Sequence, residues 1–399
     1  MAHGGTRPDT VRPMPWVLRR SVLAALVAIA AVSRADSGSV EGGPPSSPEP
    51  RRVVLFVADG AGVAYWSAAL YAADSLALQG FPVLGLIDPR NISRPIPESA
   101  SSATALATGV SSFYRSIGVG PDSLPRTTVL EAAEEAGLAT GLVTTTLLTD
   151  ATPAAFAAHV PNRDQRFEIA RQMAAQGIEV LLGDGRAAFD PAVRPDSLNL
   201  ISELRRGHAW VENPLQLAPV AAADSVHGLV GFFDLDSVSR SADRRPSLAG
   251  MTRAAMEVLD RDPDGFFLLV ENEHTDHFGH RNRPLADIVA EVLHLDQAIR
   301  VATEYRLRNP ATLVVVVGDH ETGGLDLLAD STGALAAHWA TTGHSAEMIP
   351  LFAIGPGAER FGGIHTADGI GRALLDAVTG RDRLAPAFLT PDRREPWTR

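Results

Sequence analysis

The sequence predicts an α/β protein, a three-layer sandwich in which a central, mostly parallel β-sheet is flanked by helices. Three observations lead there. From residue 51 onward, short continuous apolar runs alternate with longer stretches of helical pattern, as a parallel sheet with crossover helices requires. Acidic residues follow the ends of several apolar runs, where ligands of open α/β sheets bind. No internal repeat or linker-like segment interrupts residues 51–399, which are therefore read as one domain.

Taken in chain order, residues 1–35 read as an export signal. Arg19 and Arg20 precede the apolar run SVLAALVAIAAV, 21–32, and SRA supplies small residues before a cut after Ala35. The run is too short to span a bilayer comfortably. Cleavage therefore leaves no stable membrane anchor, and a periplasmic or secreted protein is expected. Adjacent arginines suit both twin-arginine and general export. Residues 36–50, DSGSVEGGPPSSPEP, read as a disordered spacer rich in Gly, Ser and Pro. The runs RVVLFVA (52–58), ATGLVTT (139–145), EVLLG (179–183), GFFLLVE (265–271), ATLVVVVG (311–318) and PLFAIG (350–355) are continuous enough to be strands buried on both faces. Helical patterns lie between them at 127–137, 165–177, 247–261 and 285–307.

A chain of 399 residues with 45% hydrophobic and 21% charged content has ample material for a large core. The formal charge of −12 argues against a general nucleic-acid binder, which needs surplus cations to displace counterions. Loss of residues 1–35 removes five arginines and one aspartate, taking −12 to −16. There is no cysteine, so an exported chain must rely on packing or bound metal instead of disulfides. Any metal ligands must be His, Asp, Glu or hydroxyl groups.

Such residues are gathered after the strands. Asp59 follows the first run, Glu271 ends the fourth, and Asp319 with His320 follows the fifth. The segment ENEHTDHFGH holds Glu271, Glu273, His274, Asp276, His277 and His280, and His344 lies downstream. If that segment is helical, Asp276 and His280 share a face. Oxygen and imidazole donors in this mixture suit zinc, and all-oxygen positions suit magnesium. A single Asp-His pair after a strand is ordinarily a solvated turn. Several carboxylates crowded at one sheet edge, however, repel unless cations neutralise them. In IPESASSATALATG, 96–109, Ser99 opens an alanine-rich helix. It reads either as a helix cap or as an exposed nucleophile at a helix N-terminus that favours an anionic substrate. The two readings are compatible.

The chain resembles the alkaline phosphatase family. The resemblance runs over roughly residues 51–370 and rests on ADGAG around Asp59, ESASSATALATG around Ser99, TDATPAAFAAHVPNR at 149–163, FFLLVENEHTDHFGH, VVVGDHETGG and TTGHSAEMIP, in the family's order. It implies three metal ions. Asp276, His280 and His344 would hold the first zinc. Asp59, Asp319 and His320 would hold the second, with Ser99 as its reactive ligand. Magnesium would sit between Asp59, Thr152 and Glu271, with Asp150 behind them, and Arg163 would clamp phosphate. Two such metals about 3.5–4 Å apart stabilise the entering and leaving oxygens of an in-line displacement. A metal-lowered pKa makes serine a nucleophile without a general base, and arginine's planar fork holds two phosphoryl oxygens at once. The implied reaction is hydrolysis of small phosphate monoesters through a phosphoserine, with broad alcohol specificity.

The sequence also departs from the family pattern. Glu98 stands where the residue before the nucleophile is usually aspartate, which bears on how the clamp arginine is held. His277 occupies a position where members carry lysine or histidine, which bears on the magnesium site. Only 23 residues separate His320 from His344, too few for the inserted domain of larger members. Dimers are common among relatives, but this sequence adds no evidence of its own for a homodimer. The alternatives are a phosphodiesterase or phosphonate hydrolase with the same two-zinc core, disfavoured by Thr152, Glu271 and Arg163, and a secreted metal- or phosphate-binding protein without turnover. A sulfatase is disfavoured because Ser99 is not followed by the proline and arginine that aldehyde formation needs.

Overall fold

The structure, a computed structural model, describes residues 50–237 and 241–380. The export signal of 1–35, all but the last residue of the 36–50 spacer, and the C-terminal tail from 381 lie outside the described residues. The centre of the fold is a ten-stranded sheet. In chain order its strands are β1 (Arg52–Ala58), β2 (Val83–Asp88), β3 (Ala139–Leu147), β4 (Val180–Asp184), β5 (Ala209–Val211), β6 (Leu229–Phe232), β7 (Phe266–Asn272) and β8 (Thr312–Val317). The short strands β9 (Glu321–Thr322), β10 (Leu325–Ala329), β11 (Leu335–Trp339) and β12 (His344–Ser345) form two small antiparallel pairs beside it. The sheet is completed by β13 (Ile349–Ile354) and β14 (Gly363–Thr366). Across the sheet the order is β14-β2-β13-β8-β1-β7-β3-β4-β6-β5, and β13 alone runs against the rest.

Side-chain alternation in the middle strands explains the two helical layers. In β1, Val53, Leu55 and Val57 enter one core and Val54, Phe56 and Ala58 the other, so a continuous apolar run is what a strand covered on both faces needs. The first core is roofed by α2 (Ser99–Thr108), α3 (Val129–Glu135), α4 (Ala151–Ala157), α5 (Arg166–Ala175), α6 (Leu200–Gly207) and α11 (Ala367–Thr379). The second is roofed by α1 (Val63–Ala72), α7 (Leu217–Ala221), α8 (Leu248–Leu259) and α10 (Leu285–Arg308). One more helix, α9 (His274–His280), starts two residues after β7. Among the described residues, no helix is long and apolar enough to cross a membrane.

All six strands expected from apolar runs are present within a residue or two. The edge strands β14 and β5 and their inner neighbours β2 and β6 lie outside that pattern. β2 is only intermittently buried and β14 is largely exposed, while β5 and β6 span three and four residues.

The centre of the sheet positions the polar residues. β1 lies between β7 and β8, with Val57 opposite both Glu271 and Val317. Asp59, Glu271 and Asp319 therefore emerge from adjacent parallel strands at one edge. The 23 residues between His320 and His344 hold the β10–β11 hairpin, and the β9–β12 pairing sets His344 opposite Thr322.

Candidate metal centre and nucleophile

The turn after β1 is built for close approach. Gly60 has φ +68°, and a Cβ there would lie 2.7 Å from Thr322 Oγ1 and 2.8 Å from the Asp276 Cα. Its N–H donates to Asp319 Oδ1 at 3.1 Å, which also accepts from the His320 N–H at 2.9 Å. Asp319 Oδ2 and both carboxylate oxygens of Asp59 are buried without a hydrogen-bond partner. Orphaned buried acceptors of this kind are costly.

His320 sits among them, fully buried. Thr322 Oγ1 donates to Asp276 Oδ1, so it accepts from His320 Nδ1 at 3.2 Å, and Nε2 is left as a bare lone pair. That Nε2 faces Ser99 Oγ at 3.2 Å, Asp319 Oδ2 at 3.3 Å and Asp59 Oδ1 at 3.5 Å. Burial, and then His344, hold its pKa well below the ordinary imidazole value. In a serine-histidine-aspartate triad the carboxylate orients the ring through the opposite nitrogen. Here two carboxylates and the serine meet at one nitrogen, an arrangement that suits a shared cation.

A second cluster has the same character. Asp276 and His280, one turn apart on α9, approach to 3.3 Å, and His344 Nε2 lies 3.8 Å from Asp276 Oδ1. His280 Nδ1 donates to the Thr342 carbonyl at 2.6 Å and His344 Nδ1 to that of Pro97 at 2.8 Å. Two lone-pair Nε2 atoms thus face each other at 3.1 Å. With no proton between them this contact is repulsive, and a cation reverses its sign. The rings of His344 and His320 stack with centroids 3.6 Å apart, joining the two clusters.

A third set lies behind Asp59. Glu271 Oε2 accepts from Thr144 Oγ1 at 2.6 Å, while Glu271 Oε1 and Thr152 Oγ1 are buried without an aligned partner. Burial pushes Glu271 up to about 8 and Asp319 up to about 6. Burial and then Asp319 push Asp59 well above the usual carboxylate range. Glu273, for which sequence reasoning found no role, is buried beside Asp59 and Glu271, with one donor atom from each within 4.8 Å. Burial and the Glu271 charge hold it well above its ordinary value. Its place two residues beyond Glu271 was the only sequence signal.

Ser99 is the first residue of α2, and it does not cap that helix. Glu98 does: its carboxylate accepts from Ala100 N at 3.0 Å and Ser101 N at 2.8 Å. The same carboxylate accepts from Arg115 N at 2.8 Å and from Arg163 at 3.0 Å. Burial opposes ionisation of Glu98, but these N–H groups and the guanidinium outweigh it and hold the carboxyl below its ordinary value. Arg163 also donates to Asp150 Oδ1 at 2.6 Å, and Asp150 caps α4 through the Ala151 N–H. Two carboxylates take one proton from each terminal nitrogen, leaving the remaining guanidinium protons for an anion. In front of His280 and His344 opens a cavity of about 380 Å³ lined by Arg94, Ile96, Pro97 and Tyr114, with the Arg94 guanidinium 3.8 Å over the Tyr114 ring.

Comparison with known proteins identifies the family and the fold. A family model described as alkaline phosphatase matches residues 50–336. Alkaline phosphatase 3 of Bacillus subtilis is 33% identical over 71% of this chain. The match spans 63% of that relative, less than two thirds of its length. Streptomycin-6-phosphate phosphatase of Streptomyces griseus is 30% identical over 88% of this chain and 95% of its own. The solved alkaline phosphatase of the Antarctic bacterium TAB5 superposes with a TM-score of 0.77 at 30% identity, covering 85% of this chain and all of the other. A variant of the TAB5 protein is described with Mg bound in its M3 site.

Proposed function

The chain belongs to the alkaline phosphatase family, and from that premise we propose that residues 51–399 act as one exported catalytic domain that hydrolyses phosphate monoesters through Ser99. The observation that carries the reading is the meeting of Ser99 Oγ, Asp59 and Asp319 at the bare Nε2 of His320.

The donor sets fit cations. Asp276, His280 and His344 offer two imidazoles and a carboxylate, and Asp59, Asp319 and His320 two carboxylates and an imidazole, both suited to zinc. Asp59, Glu271 and Thr152 offer only oxygen, suited to magnesium. Bound there, the ions would supply the positive charge that lowers the pKa of the Ser99 hydroxyl and offsets charge on the reacting oxygens.

The chain's own residues do the rest. The Arg163 fork binds the phosphoryl oxygens. Glu98 and Asp150 keep that fork from rotating. Ser99 Oγ gives up its proton to solvent and attacks phosphorus as the P–O bond to the substrate alcohol breaks, giving a phosphoserine, and the leaving oxygen takes up a proton from solvent as the alcohol departs. Water then attacks the phosphoserine, phosphate leaves, and Ser99 recovers its proton. The contacts fall on the phosphoryl group, so the alcohol is held only by the open cavity around Arg94 and Tyr114.

The test compares p-nitrophenyl phosphate with bis-p-nitrophenyl phosphate, before and after chelation and after return of zinc and magnesium. Monoester hydrolysis that is lost on chelation and restored by the metals is expected. Faster hydrolysis of the diester identifies a phosphodiesterase, and no hydrolysis of either after metal return identifies a binding protein.

A further inference from the structure

We propose that Asp236, His274 and His277 form a fourth divalent-metal site, suited to zinc, that ties the segment after β6 to helix α9. One donor atom from each lies within 4.8 Å of the others, and none of the three belongs to the ligand sets assigned above.

The two rings are oriented as ligands. The Thr145 hydroxyl accepts from the Glu273 N–H at 3.1 Å and can pass its own proton to Asn272 Oδ1 at 3.4 Å. It then accepts from His274 Nδ1 at 3.1 Å, which leaves His274 Nε2 as a lone pair. That atom is buried without a hydrogen-bond partner, on a residue only 1% exposed. His277 Nε2 lies 3.3 Å from Glu273 Oε1; with Glu273 ionised beside bound cations, Nε2 donates to it and leaves Nδ1 bare. Each imidazole is therefore held through its outer nitrogen by an oxygen acceptor, as in metal-bound histidines.

The carboxylate is positioned as firmly. Asp184, at the end of β4, accepts from the N–H groups of Leu235 at 2.9 Å and Asp236 at 3.1 Å, and Thr146 Oγ1 donates to Asp236 Oδ1 at 2.9 Å. His277 Nδ1 lies 3.7 Å from Asp236 Oδ1, too far for a hydrogen bond. That spacing is near the roughly 3.4 Å between two donors on one tetrahedral zinc. The Arg244 guanidinium is engaged by Glu291 at 2.8 and 2.9 Å. Asp236 and His277 are partly exposed, which gives an ion a way in.

The test uses zinc alone and reads metal content and position, so it stands whether or not the chain hydrolyses phosphate monoesters. Metal-stripped parent and Asp236→Asn are titrated with zinc, with circular dichroism to show both folded, and parent crystals are measured at the zinc absorption edge. The parent is expected to bind one equivalent more than Asp236→Asn and to show an anomalous peak among the three side chains. His274→Gln, the second variant, is expected to lose the same equivalent. Equal zinc content in parent and variants overturns the proposal, as does a parent without that peak at saturating zinc. A peak that fades at micromolar free zinc marks an adventitious ion and overturns it too.

Discussion

Stripping the cations is expected to make the protein less stable as pH rises from about 6.5 to about 8, and Glu271 sets the scale. Burial raises this carboxyl from 4.5 to about 8. In the unfolded chain it is ionised above its ordinary value, whereas the folded, metal-free protein keeps the proton until about pH 8. The folded state therefore binds more protons, and each pH unit in that interval removes about 1.4 kcal/mol. Buried imidazoles act in the opposite sense at lower pH. His274 is pushed down to about 2 and His294 to about 4, chiefly by burial, and His320 is depressed as well. They stay neutral when folded and charge when unfolded, so their contribution grows until pH reaches about 6.5 and is level above it. Above 6.5 these imidazoles no longer change. In His159 burial is outweighed by hydrogen bonds to Glu131 and the Gly118 carbonyl, which raise its pKa; it loses stability there with the carboxylates, but it is not a metal ligand and cancels between stripped and loaded protein. Glu271 alone removes about 2 kcal/mol across it, a sizeable part of the 5–15 kcal/mol typical of a domain. Asp59 and Glu273, both held well above their ordinary values, steepen the slope. Glu134, pushed up to about 7 by burial, lies away from the metal ligands and cancels between stripped and loaded protein. The assay is urea unfolding at several pH values after chelation and after return of zinc and magnesium. Loaded protein is expected to fall less steeply or to rise, because metal binding releases protons. Stripped protein whose stability is level or rises across the same window refutes the reasoning.

Ser99→Ala is expected to lower p-nitrophenyl phosphate turnover by several orders of magnitude with zinc content unchanged, and turnover at the parent rate would remove Ser99 from the mechanism. Arg163→Lys replaces the fork with a point charge and is expected to cost roughly 10- to 100-fold in kcat/KM, so an unchanged value would show that the fork does not hold the phosphoryl group. Glu98→Ala removes the α2 cap and one of the two carboxylates on Arg163, with an expected loss of about 1 kcal/mol in urea unfolding and a fall in kcat/KM; the idea fails if neither changes. Gly60→Ala forces a Cβ to 2.7 Å from Thr322 Oγ1 at φ +68° and is expected to cost more than about 1 kcal/mol and weaken zinc retention, checked by unfolding and metal analysis.

The parts of this fold legible in the sequence are those where burial is complete. β1, β7 and β8 read as continuous apolar runs because both faces are covered, and the polar residues just beyond them stand out by contrast. Strands near the sheet margins, such as β2, mix exposed and buried positions over six residues and leave no such signature. The same limit applies to the site. Asp59, Asp319 and His320 are marked by the strands they follow. Asp236 lies 38 residues before His274 in the chain, on a short segment whose position depends on N–H groups held by Asp184. Glu273 was visible as an acid near Glu271, but its burial against Asp59 follows from the turn between β7 and α9. Lone-pair directions on the imidazoles depend on carbonyls and hydroxyls remote in sequence, such as Thr342 for His280 and Pro97 for His344.

The exchange of roles between Glu98 and Ser99 bears most directly on the chemistry. A serine that caps a helix turns its oxygen back onto the N–H groups of the first turn, where it is spent as an acceptor and aimed away from a ligand. Here Glu98 takes that task, using Oε1 for Ser101 and Arg115 and Oε2 for Ala100 and Arg163. Ser99, one position later, keeps its hydroxyl for the His320 nitrogen and for whatever cation Asp59 and Asp319 share with it. One buried carboxylate thus caps the helix, leaves the proposed nucleophile Ser99 free and anchors the proposed clamp Arg163. A glutamate at this position reaches the helix and loop N–H groups together while still meeting Arg163, so the longer side chain keeps the clamp in place instead of displacing it.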